Sequence, residues 1–175
     1  MNLEQSKANN GQERILVIIG PTGSGKTGLA IDVALELARL RGVDVAAEVI
    51  SADSRAIYKG MDIGTAKPTR EEMQGVPHWG IDLVEPDERF TVVDFCDYAR
   101  QKIAEIRKRG HLPIIAGGTG LYVDALVYDY HFFCHGNFAK SFFRRIKKFV
   151  TFITNKFFFC LCFINFYPFF QSFIH

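Results

Sequence analysis

The sequence predicts an α/β fold, a parallel sheet with helices on both faces. Two observations lead to this prediction. Short, unbroken apolar runs recur along the chain, and such runs are typical of strands that are buried on both faces. Between them lie segments whose apolar residues are spaced three or four apart, as in amphipathic helices. Strands that alternate with helices in this way form βαβ units, whose strands run parallel.

A glycine-rich loop joins the first strand to the first helix. Ile15–Ile19 predicts a buried strand, and an apolar stripe over about 26–41 predicts a helix that Gly42 ends. Residues 20–27 read G-P-T-G-S-G-K-T, which matches the phosphate-binding pattern G-x-x-x-x-G-K-[ST]. This unit is typical of P-loop NTPase-like folds and predicts a site for a di- or triphosphate. The predicted phosphate-binding residues are Gly20, Pro21, Thr22, Gly23, Ser24, Gly25, Lys26 and Thr27.

The residue types of this loop suit phosphate chemistry. Glycines allow backbone N–H groups to turn inward around an oxyanion, and the helix N-terminus adds a partial positive charge. Lys26 is expected to reach the terminal phosphate, and the hydroxyl of Thr27 to ligate Mg²⁺. The alternative is a strand–helix turn that binds nothing. We set it aside because the strand, the loop, the Lys–Thr pair and the helix occur together.

The alternation continues to about residue 130. Ala46–Ile50 is a second apolar run, residues 59–79 are predicted to be a loop because glycine and proline interrupt them, and Ile81–Val84 is interpreted as another strand. Thr91 predicts a helix N-cap, since Asp94 follows it in a variant of the capping box. The apolar stripe of this helix consists of Phe95, Ala99, Ile103 and Ile106, and Gly110 ends the helix. The next predicted strand is Leu112–Ala116.

Three polar features follow predicted strands. The phosphate loop follows the first strand, Asp53 the second apolar run, and Thr119 the strand at 112–116. Ligands bind beyond the carboxyl ends of parallel strands, so these features are expected to converge on one cleft. Considered alone, Asp53 and Thr119 are more readily explained as helix N-caps, for which both residue types are favoured. His78 and His111 are assigned no role.

Composition divides the chain near residue 130. Residues 1–130 contain all 19 acidic residues and 15 of the 21 basic ones, a net charge of −4, so no basic footprint for non-specific nucleic-acid binding is present there. Residues 131–175 contain six basic residues, no acidic ones and 15 of the 17 phenylalanines. We expect residues 131–175 to contribute nothing to the α/β core.

Three interpretations of residues 131–175 remain open. Their Phe, Lys, Ile, Asn and Tyr content is typical of a frameshift or read-through in A/T-rich DNA, which is the interpretation we favour. Phe157–Ile174 is uncharged and follows basic residues, as a membrane span does, although polar residues and a proline interrupt it. The third interpretation is a packed core element.

The cysteines and the N-terminus indicate a reducing compartment. No C-x₂-C pair is present among the four cysteines, and Cys96 falls inside a predicted helix. Met1–Arg14 is polar and has no apolar signal core, so secretion is not expected.

Four blocks of sequence, in this order, resemble the tRNA dimethylallyltransferases, also called tRNA isopentenyltransferases. They are the phosphate loop, the run Ile50–Pro68, the segment from Val76 to Asp82, and Gly117–Tyr122. The resemblance covers about residues 13–130. It implies that a dimethylallyl group is transferred from dimethylallyl diphosphate to N6 of an adenine beside the anticodon of tRNA.

The resemblance also implies roles for individual residues. The phosphate loop would hold the diphosphate of the donor, with Lys26 and a Mg²⁺ on Thr27 stabilising the leaving group. Asp53 would accept the proton from the N6 amine, and Thr119 would hydrogen-bond near the attacking nitrogen. The residues implied to contact tRNA are Asp53, Ser54, Arg55, Ala56 and Thr119.

The resemblance stops near Tyr130, where the tRNA-gripping helical region and a further diphosphate-binding basic residue of the family are not recognisable. The chain therefore resembles the N-terminal portion of such an enzyme, followed by a non-family tail. Two alternative functions remain: a phosphate-loop kinase for a small molecule or nucleoside, and a non-catalytic, pseudogene-like fragment. We expect a cytoplasmic monomer without a membrane partner, or an organellar one if the source is eukaryotic.

Overall fold

The five strands described form one parallel sheet. The computed structural model describes residues 14–65, 67–128 and 150–154. The sheet has the order β3-β2-β4-β1-β5, and every neighbouring pair is parallel, which confirms the predicted α/β class. The elements are β1 (Ile15–Ile19), α1 (Lys26–Arg41), β2 (Ala47–Ser51), α2 (Arg70–Met73), β3 (His78–Trp79), α3 (Val92–Lys108), β4 (Leu112–Gly117), α4 (Gly120–Tyr128) and β5 (Val150–Thr154).

Helices cover both faces of the sheet, as predicted. Side chains alternate along β1, so Leu16 and Ile18 pack in the cluster that contains the buried face of α1. Ile15 and Val17 point the other way, into the cluster formed with α3 and α4. Burial on both faces explains why β1 and β4 are continuous apolar runs rather than alternating ones.

The helix α3 begins at the predicted N-cap. The N–H of Asp94 donates to Thr91 Oγ1 at 3.3 Å, and the N–H of Thr91 donates to Asp94 Oδ2 at 2.8 Å, so the two residues form a capping box. The helix ends at Lys108, two residues before Gly110. The predicted apolar stripe is confirmed as the buried face: Phe95, Ala99, Ile103 and Ile106.

Residues 59–84 differ from the prediction. The predicted loop contains α2 and β3, and the strand expected at Ile81–Val84 is absent from the described sheet apart from an isolated bridge to Tyr58. The reason is local geometry: Gly80 and Asp82 have φ values of 81° and 53°, which an extended strand cannot accommodate. The helix α2 begins at a second capping box, formed by Thr69 and Glu72, which the prediction missed.

One segment of the tail joins the sheet. The backbone of β5 pairs with β1 along its whole length, from Ile15 opposite Val150 to Ile19 opposite Thr154. The expectation that residues 131–175 contribute nothing to the α/β core is therefore wrong for these five residues. The Phe157–Ile174 run lies outside the described residues. None of the helices in the part of the chain that the structure describes is long and apolar enough to cross a membrane.

A buried carboxylate ties the sheet together where β2 and β4 begin. Glu48 is 2% exposed and accepts hydrogen bonds from Trp79 at 2.7 Å, from Arg109 at 2.8 and 2.9 Å, and from His111 at 2.7 Å. Burial acts to raise the pKa of Glu48, but these donors outweigh it and hold that pKa below its ordinary value. His111 thus has a structural contact, which agrees with the interpretation that gave it no functional role.

Substituting Gly117 should destabilise the fold. A Cβ on Gly117 would overlap the carbonyl oxygen and Cα of Ala52, which are backbone atoms that cannot rotate away. Gly117→Ala is expected to lower the free energy of unfolding by about 2–3 kcal/mol, measured by urea denaturation. Gly28→Ala is the matched control, because a Cβ on Gly28 meets no atom within 4 Å and alanine favours the helix. Equal stability of the two variants would contradict the prediction.

Candidate active site

The phosphate loop wraps the N-terminus of α1. Gly23 and Gly25 have φ values of 77° and 79°, a conformation that side chains other than glycine rarely adopt. Gly25 is the N-cap of α1, and the N–H of Ser24 donates to the carbonyl oxygen of Pro21 at 3.2 Å. The first turn of α1 contains no acidic residue that would compete with an anion for the N-terminus. The loop thus has the conformation that its glycines predict.

Lys26 lies between the phosphate loop and the end of β4. Its ammonium donates to the carbonyl oxygen of Pro21 at 2.6 Å. A Cβ placed on Gly118 would lie 3.8 Å from Lys26 Nζ, which shows how closely the β4 end approaches. Burial lowers the pKa of Lys26 from its ordinary value, and the charge of Asp53 partly opposes this shift. Lys26 and Asp53 are therefore electrostatic neighbours.

A cleft of about 290 Å³ joins the phosphate loop to the ends of β2 and β4. This volume lies at the lower end of the range for small-molecule sites. One part of its wall is polar and belongs to the loop, and the other part is mainly apolar. The lining residues are Thr22, Gly23, Gly25, Lys26, Thr27, Val49, Ser51, Asp53, Ala56, Pro68, His78, Ile81, Ala116 and Gly117.

Asp53 follows β2 and lines this cleft. Its Oδ1 accepts a hydrogen bond from the N–H of Arg55 at 2.9 Å, which closes a turn over residues 53–55. No helix follows directly in the chain, since residues 54–57 form turns. The helix-cap interpretation of Asp53 is thus replaced by a turn contact made through one carboxylate oxygen.

Thr119 is bound to the segment after β2 rather than placed in the cleft lining. Its Oγ1 accepts from the N–H of Ser54 at 3.0 Å and donates to Ser54 Oγ at 3.2 Å. Its N–H donates to the carbonyl oxygen of Ala52 at 3.2 Å. These contacts bring together two segments that are 65 residues apart, but Thr119, unlike Asp53, is not among the residues that line the cleft.

The remaining predicted contact residues differ in accessibility. Arg55 is exposed and Ser54 is half-buried, whereas Ala56 is only 3% exposed and contributes to the cleft wall. A direct contact with a macromolecule is therefore open to Arg55, while Ala56 can contact only what enters the cleft.

Several lining residues were missed by the sequence analysis. Pro68, His78 and Ile81 come from the region that was interpreted as loop and strand, and although they fall inside two of the blocks that carry the family resemblance, no role was assigned to them. The register of β3 brings His78 opposite Val49 of β2, which also lines the cleft. His78 Nδ1 lies 2.8 Å from the carbonyl oxygen of Val76 and donates to it, so the uncharged ring has its lone pair on Nε2.

The oxygen donors of the cleft suit a magnesium ion that is shared with a phosphate. Thr27 and Asp53 both line the cleft, and Mg²⁺ in phosphate sites takes one or two protein oxygens together with phosphate oxygens. Within residues 14–65, 67–128 and 150–154, no group of three or more His, Cys, Asp or Glu side chains forms an all-protein metal site. The residues thus fit a metal that a phosphate ligand helps to hold.

A sequence model of the IPP transferase family matches residues 56–149, which is more than half of the chain. This chain belongs to the IPP transferase family. The match extends past the boundary predicted near Tyr130, and the position of that boundary stays a prediction. This is the family that the resemblance indicated, rather than a kinase family.

Relatives and solved structures agree with this assignment. A tRNA dimethylallyltransferase of Staphylococcus carnosus is 53% identical over 118 residues, which cover 67% of this chain and 35% of the relative. One from Bacillus subtilis is 49% identical and covers 71% of this chain and 37% of its own length. The crystal structure of a full-length tRNA isopentenylpyrophosphate transferase from Bacillus halodurans superposes with a TM-score of 0.61 at 48% identity, covering 69% of this chain and 37% of that chain.

A more distant structure shares the fold. A eukaryotic dimethylallyltransferase acting on tRNA superposes with a TM-score of 0.60 at 32% identity and covers 67% of this chain and 27% of its own. This chain spans only about a third of the length of the curated relatives that it matches, 35% and 37% for the two named above.

Acid should destabilise the fold partly through His78. Burial lowers the pKa of His78, and the contact with Val76 opposes this only in part. The unfolded chain therefore binds this proton more readily than the folded chain. The stabilisation is complete above pH ~6.5 and is lost as pH falls toward the lower folded pKa. The difference in unfolding free energy between the parent and His78→Gln should shrink over this range in urea titrations at several pH values, and a constant difference would contradict it.

Proposed function

We propose that this chain is the phosphate-loop portion of a tRNA-modifying prenyltransferase. The reaction transfers a dimethylallyl group from dimethylallyl diphosphate to N6 of an adenine next to the anticodon, and it releases diphosphate. The observation that carries the proposal is one cleft lined by the phosphate loop and the Asp53 carboxylate, in a member of the IPP transferase family. Because the chain spans about a third of its relatives, full turnover is proposed for the complete family fold.

The two parts of the cleft wall suit the two parts of the donor. The backbone N–H groups of the loop and the N-terminus of α1 would bind the diphosphate. Lys26 would leave its contact with Pro21 and donate to the phosphate oxygens, which need a cation more than a neutral carbonyl does. The dimethylallyl group would lie against the apolar wall formed by Val49, Pro68 and Ile81.

Thr27 is the residue that would hold a Mg²⁺ ion together with the diphosphate. When bound, the ion supplies charge neutralisation for the departing diphosphate. Lys26 and the helix N-terminus act on the same charge from the protein side. As the C1–O bond breaks, its electron pair passes to the diphosphate oxygen, whose developing charge these donors stabilise.

Asp53 is the proposed proton acceptor. The N6 lone pair forms the new bond to C1 of the donor, and the nitrogen then loses a proton to the carboxylate. Oδ1 of Asp53 is bound to the N–H of Arg55, which fixes the orientation of the carboxylate. Thr119 is fixed by Ser54 and retains one hydroxyl lone pair, so it can accept a hydrogen bond near the same nitrogen.

The domain boundary and the setting of the chain are also proposals. We propose residues 1–130 as the catalytic portion and residues 131–175 as a non-family tail, because acidic residues are absent from the tail and phenylalanine dominates it. We propose a cytoplasmic monomer that binds tRNA and a prenyl diphosphate. The genomic DNA after the Tyr130 codon tests the boundary, since a frameshift predicts a family-like continuation in another reading frame.

Removing the Lys26 ammonium should weaken donor binding. Lys26→Ala loses a charge-assisted contact worth about 1.5–3 kcal/mol, so the Kd for dimethylallyl diphosphate should rise about tenfold or more in calorimetric titration. Lys108→Ala is the control, because Lys108 is exposed in the last turn of α3, outside the cleft lining. Unchanged affinity in Lys26→Ala, or tighter binding of ATP than of the prenyl donor by the parent, would contradict the assignment.

Replacing the Asp53 carboxylate should slow transfer without loss of the donor. In a chimaera that continues residue 128 of this chain with the C-terminal portion of the Bacillus subtilis relative, Asp53→Asn should lower turnover about 10²–10⁴-fold, because the amide cannot take the proton. The asparagine oxygen can still accept from the N–H of Arg55, so the turn should persist. Turnover is measured by incorporation of labelled dimethylallyl into tRNA, and donor Kd by titration.

The matched control is Asp97→Asn, which removes an exposed carboxylate on α3 that pairs with Arg100. Turnover that stays within a few fold of the parent in Asp53→Asn would remove Asp53 from the proton-transfer step. Loss of donor binding in the same variant would instead give Asp53 a role in holding the diphosphate.

A further inference from the structure

A loop beside the cleft presents an apolar side chain to solvent. Lys59–Lys67, here called the 59–67 loop, has Ile63 at its tip, 99% exposed, with Met61 43% exposed. The loop starts and ends at the cleft wall, since Ala56 precedes it and Pro68 follows it, and both line the cleft. Single exposed apolar residues are common on protein surfaces, so the exposure of Ile63 gains meaning only from how the tip is held.

Buried polar contacts fix both sides of the tip. The hydroxyl of Thr65, a residue only 6% exposed, donates to the carbonyl oxygen of Met61 at 2.7 Å. The side chain of Lys67 is 7% exposed and donates to Asp62 at 2.7 Å and to Asp82 at 2.6 Å. Lys67 also donates to the carbonyl oxygen of Tyr58 at 3.1 Å, which anchors the loop to the segment after β2. Ile63 is therefore held outward by its surroundings rather than left on a loose loop.

Lys67 neutralises only one of the two carboxylates that it contacts, those of Asp62 and Asp82, so this cluster as a whole remains negative. Burial acts to lower the pKa of Lys67, but the hydrogen bonds that Lys67 donates to Asp62 and Asp82 outweigh it and raise that pKa, so the ammonium stays charged. Its charge offsets part of the negative charge that Asp62 would otherwise place beside the tip. Arg55, the exposed cation that precedes the loop, adds positive charge on the same segment.

We infer that Ile63 is an apolar wedge for RNA: it packs against the base step that the target adenine leaves when that adenine enters the cleft. The inference rests on the proposed function, since it concerns the RNA substrate of the same site. An adenine inside a stacked loop cannot reach a donor held at the phosphate loop, so it has to unstack, which costs a few kcal/mol. Apolar side chains inserted at base steps stabilise such openings. Ile63 is apolar, branched and fixed, and it lies on the loop that two cleft-lining residues, Ala56 and Pro68, flank in the chain.

The test measures unstacking directly. The probe is an RNA hairpin with the sequence of an anticodon stem-loop, in which 2-aminopurine replaces the target adenine and fluoresces when unstacked. It is titrated with the full 175-residue chain in the presence of dimethylallyl diphosphate. Ile63→Ala is expected to reduce the fluorescence increase at saturation at least threefold while the hairpin Kd changes less than threefold. Ile63→Met, which keeps an apolar side chain, should retain the parent signal.

Val43→Ala is the matched control. Val43 is another exposed apolar residue, 48% exposed, in the turn after α1 and outside the cleft lining. It should leave both the signal and the Kd unchanged. The thermal unfolding midpoint of each variant is compared with the parent, and an unchanged midpoint is expected because the substituted side chains are exposed.

Two results would overturn the inference. The first is a parent chain that binds dimethylallyl diphosphate but either gives no fluorescence increase with the hairpin or gives the same increase as Ile63→Ala. The donor binding would then leave the proposed function standing. The second is a contact between polypeptides: the C-terminal portion of the Bacillus subtilis relative, added separately, loses affinity for Ile63→Ala while the hairpin signal is unaffected. Failure of the parent chain to bind the donor would count against the proposed function itself.

Discussion

The close approach of the β2 and β4 ends is the contact on which the cleft depends. Gly117 passes so near Ala52 that no side chain fits between them, and the N–H of Thr119 donates to the carbonyl oxygen of Ala52. This contact places the segment after β2 against the start of α4, where Thr119 and Ser54 bond to each other. The strand β4 pairs with β2 on one side and with β1 on the other, so the phosphate loop, which follows β1, lies next to the segment after β2 and to the start of α4. The glycine at position 117 thus allows the phosphate loop, the segment after β2 and the start of α4 to meet at one site.

Two partly or fully buried carboxylates show how placement decides chemistry. Glu48 is surrounded by donors from Trp79, Arg109 and His111, so its charge is satisfied within the fold and its role is structural. Asp53 lies in the cleft wall and is held by a backbone N–H through one of its oxygens. A carboxylate that is oriented but borders a ligand site can exchange a proton with what enters it, which Glu48 cannot do.

The sequence predicted the elements whose patterns are local. The glycine-rich loop, the Thr91 capping box and the buried runs of β1 and β4 each depend on neighbours in the chain, and each is confirmed. The missed features depend on distant residues or on backbone geometry. Left-handed φ values at Gly80 and Asp82 end β3 early, and pairing with β2 then brings His78 to the cleft. The pairing of β5 with β1 likewise depends on a strand that is distant in the sequence, so no pattern within residues 150–154 predicts it.

The division of the cleft wall bears on which phosphate compound it suits. A nucleoside triphosphate would bring a ribose and a base, whose hydroxyl and amine groups need hydrogen-bond partners once they leave water. Beyond the phosphate loop, Ser51, Asp53 and His78 are the polar side chains of the wall, and the others, Val49, Ala56, Pro68, Ile81 and Ala116, provide no such partner from their side chains. A dimethylallyl group needs no such partner and gains free energy from contact with the same residues. The phosphate loop by itself accepts either compound, so the selectivity in this proposal comes from the apolar residues of β2, β4 and the 59–84 region that lie opposite it.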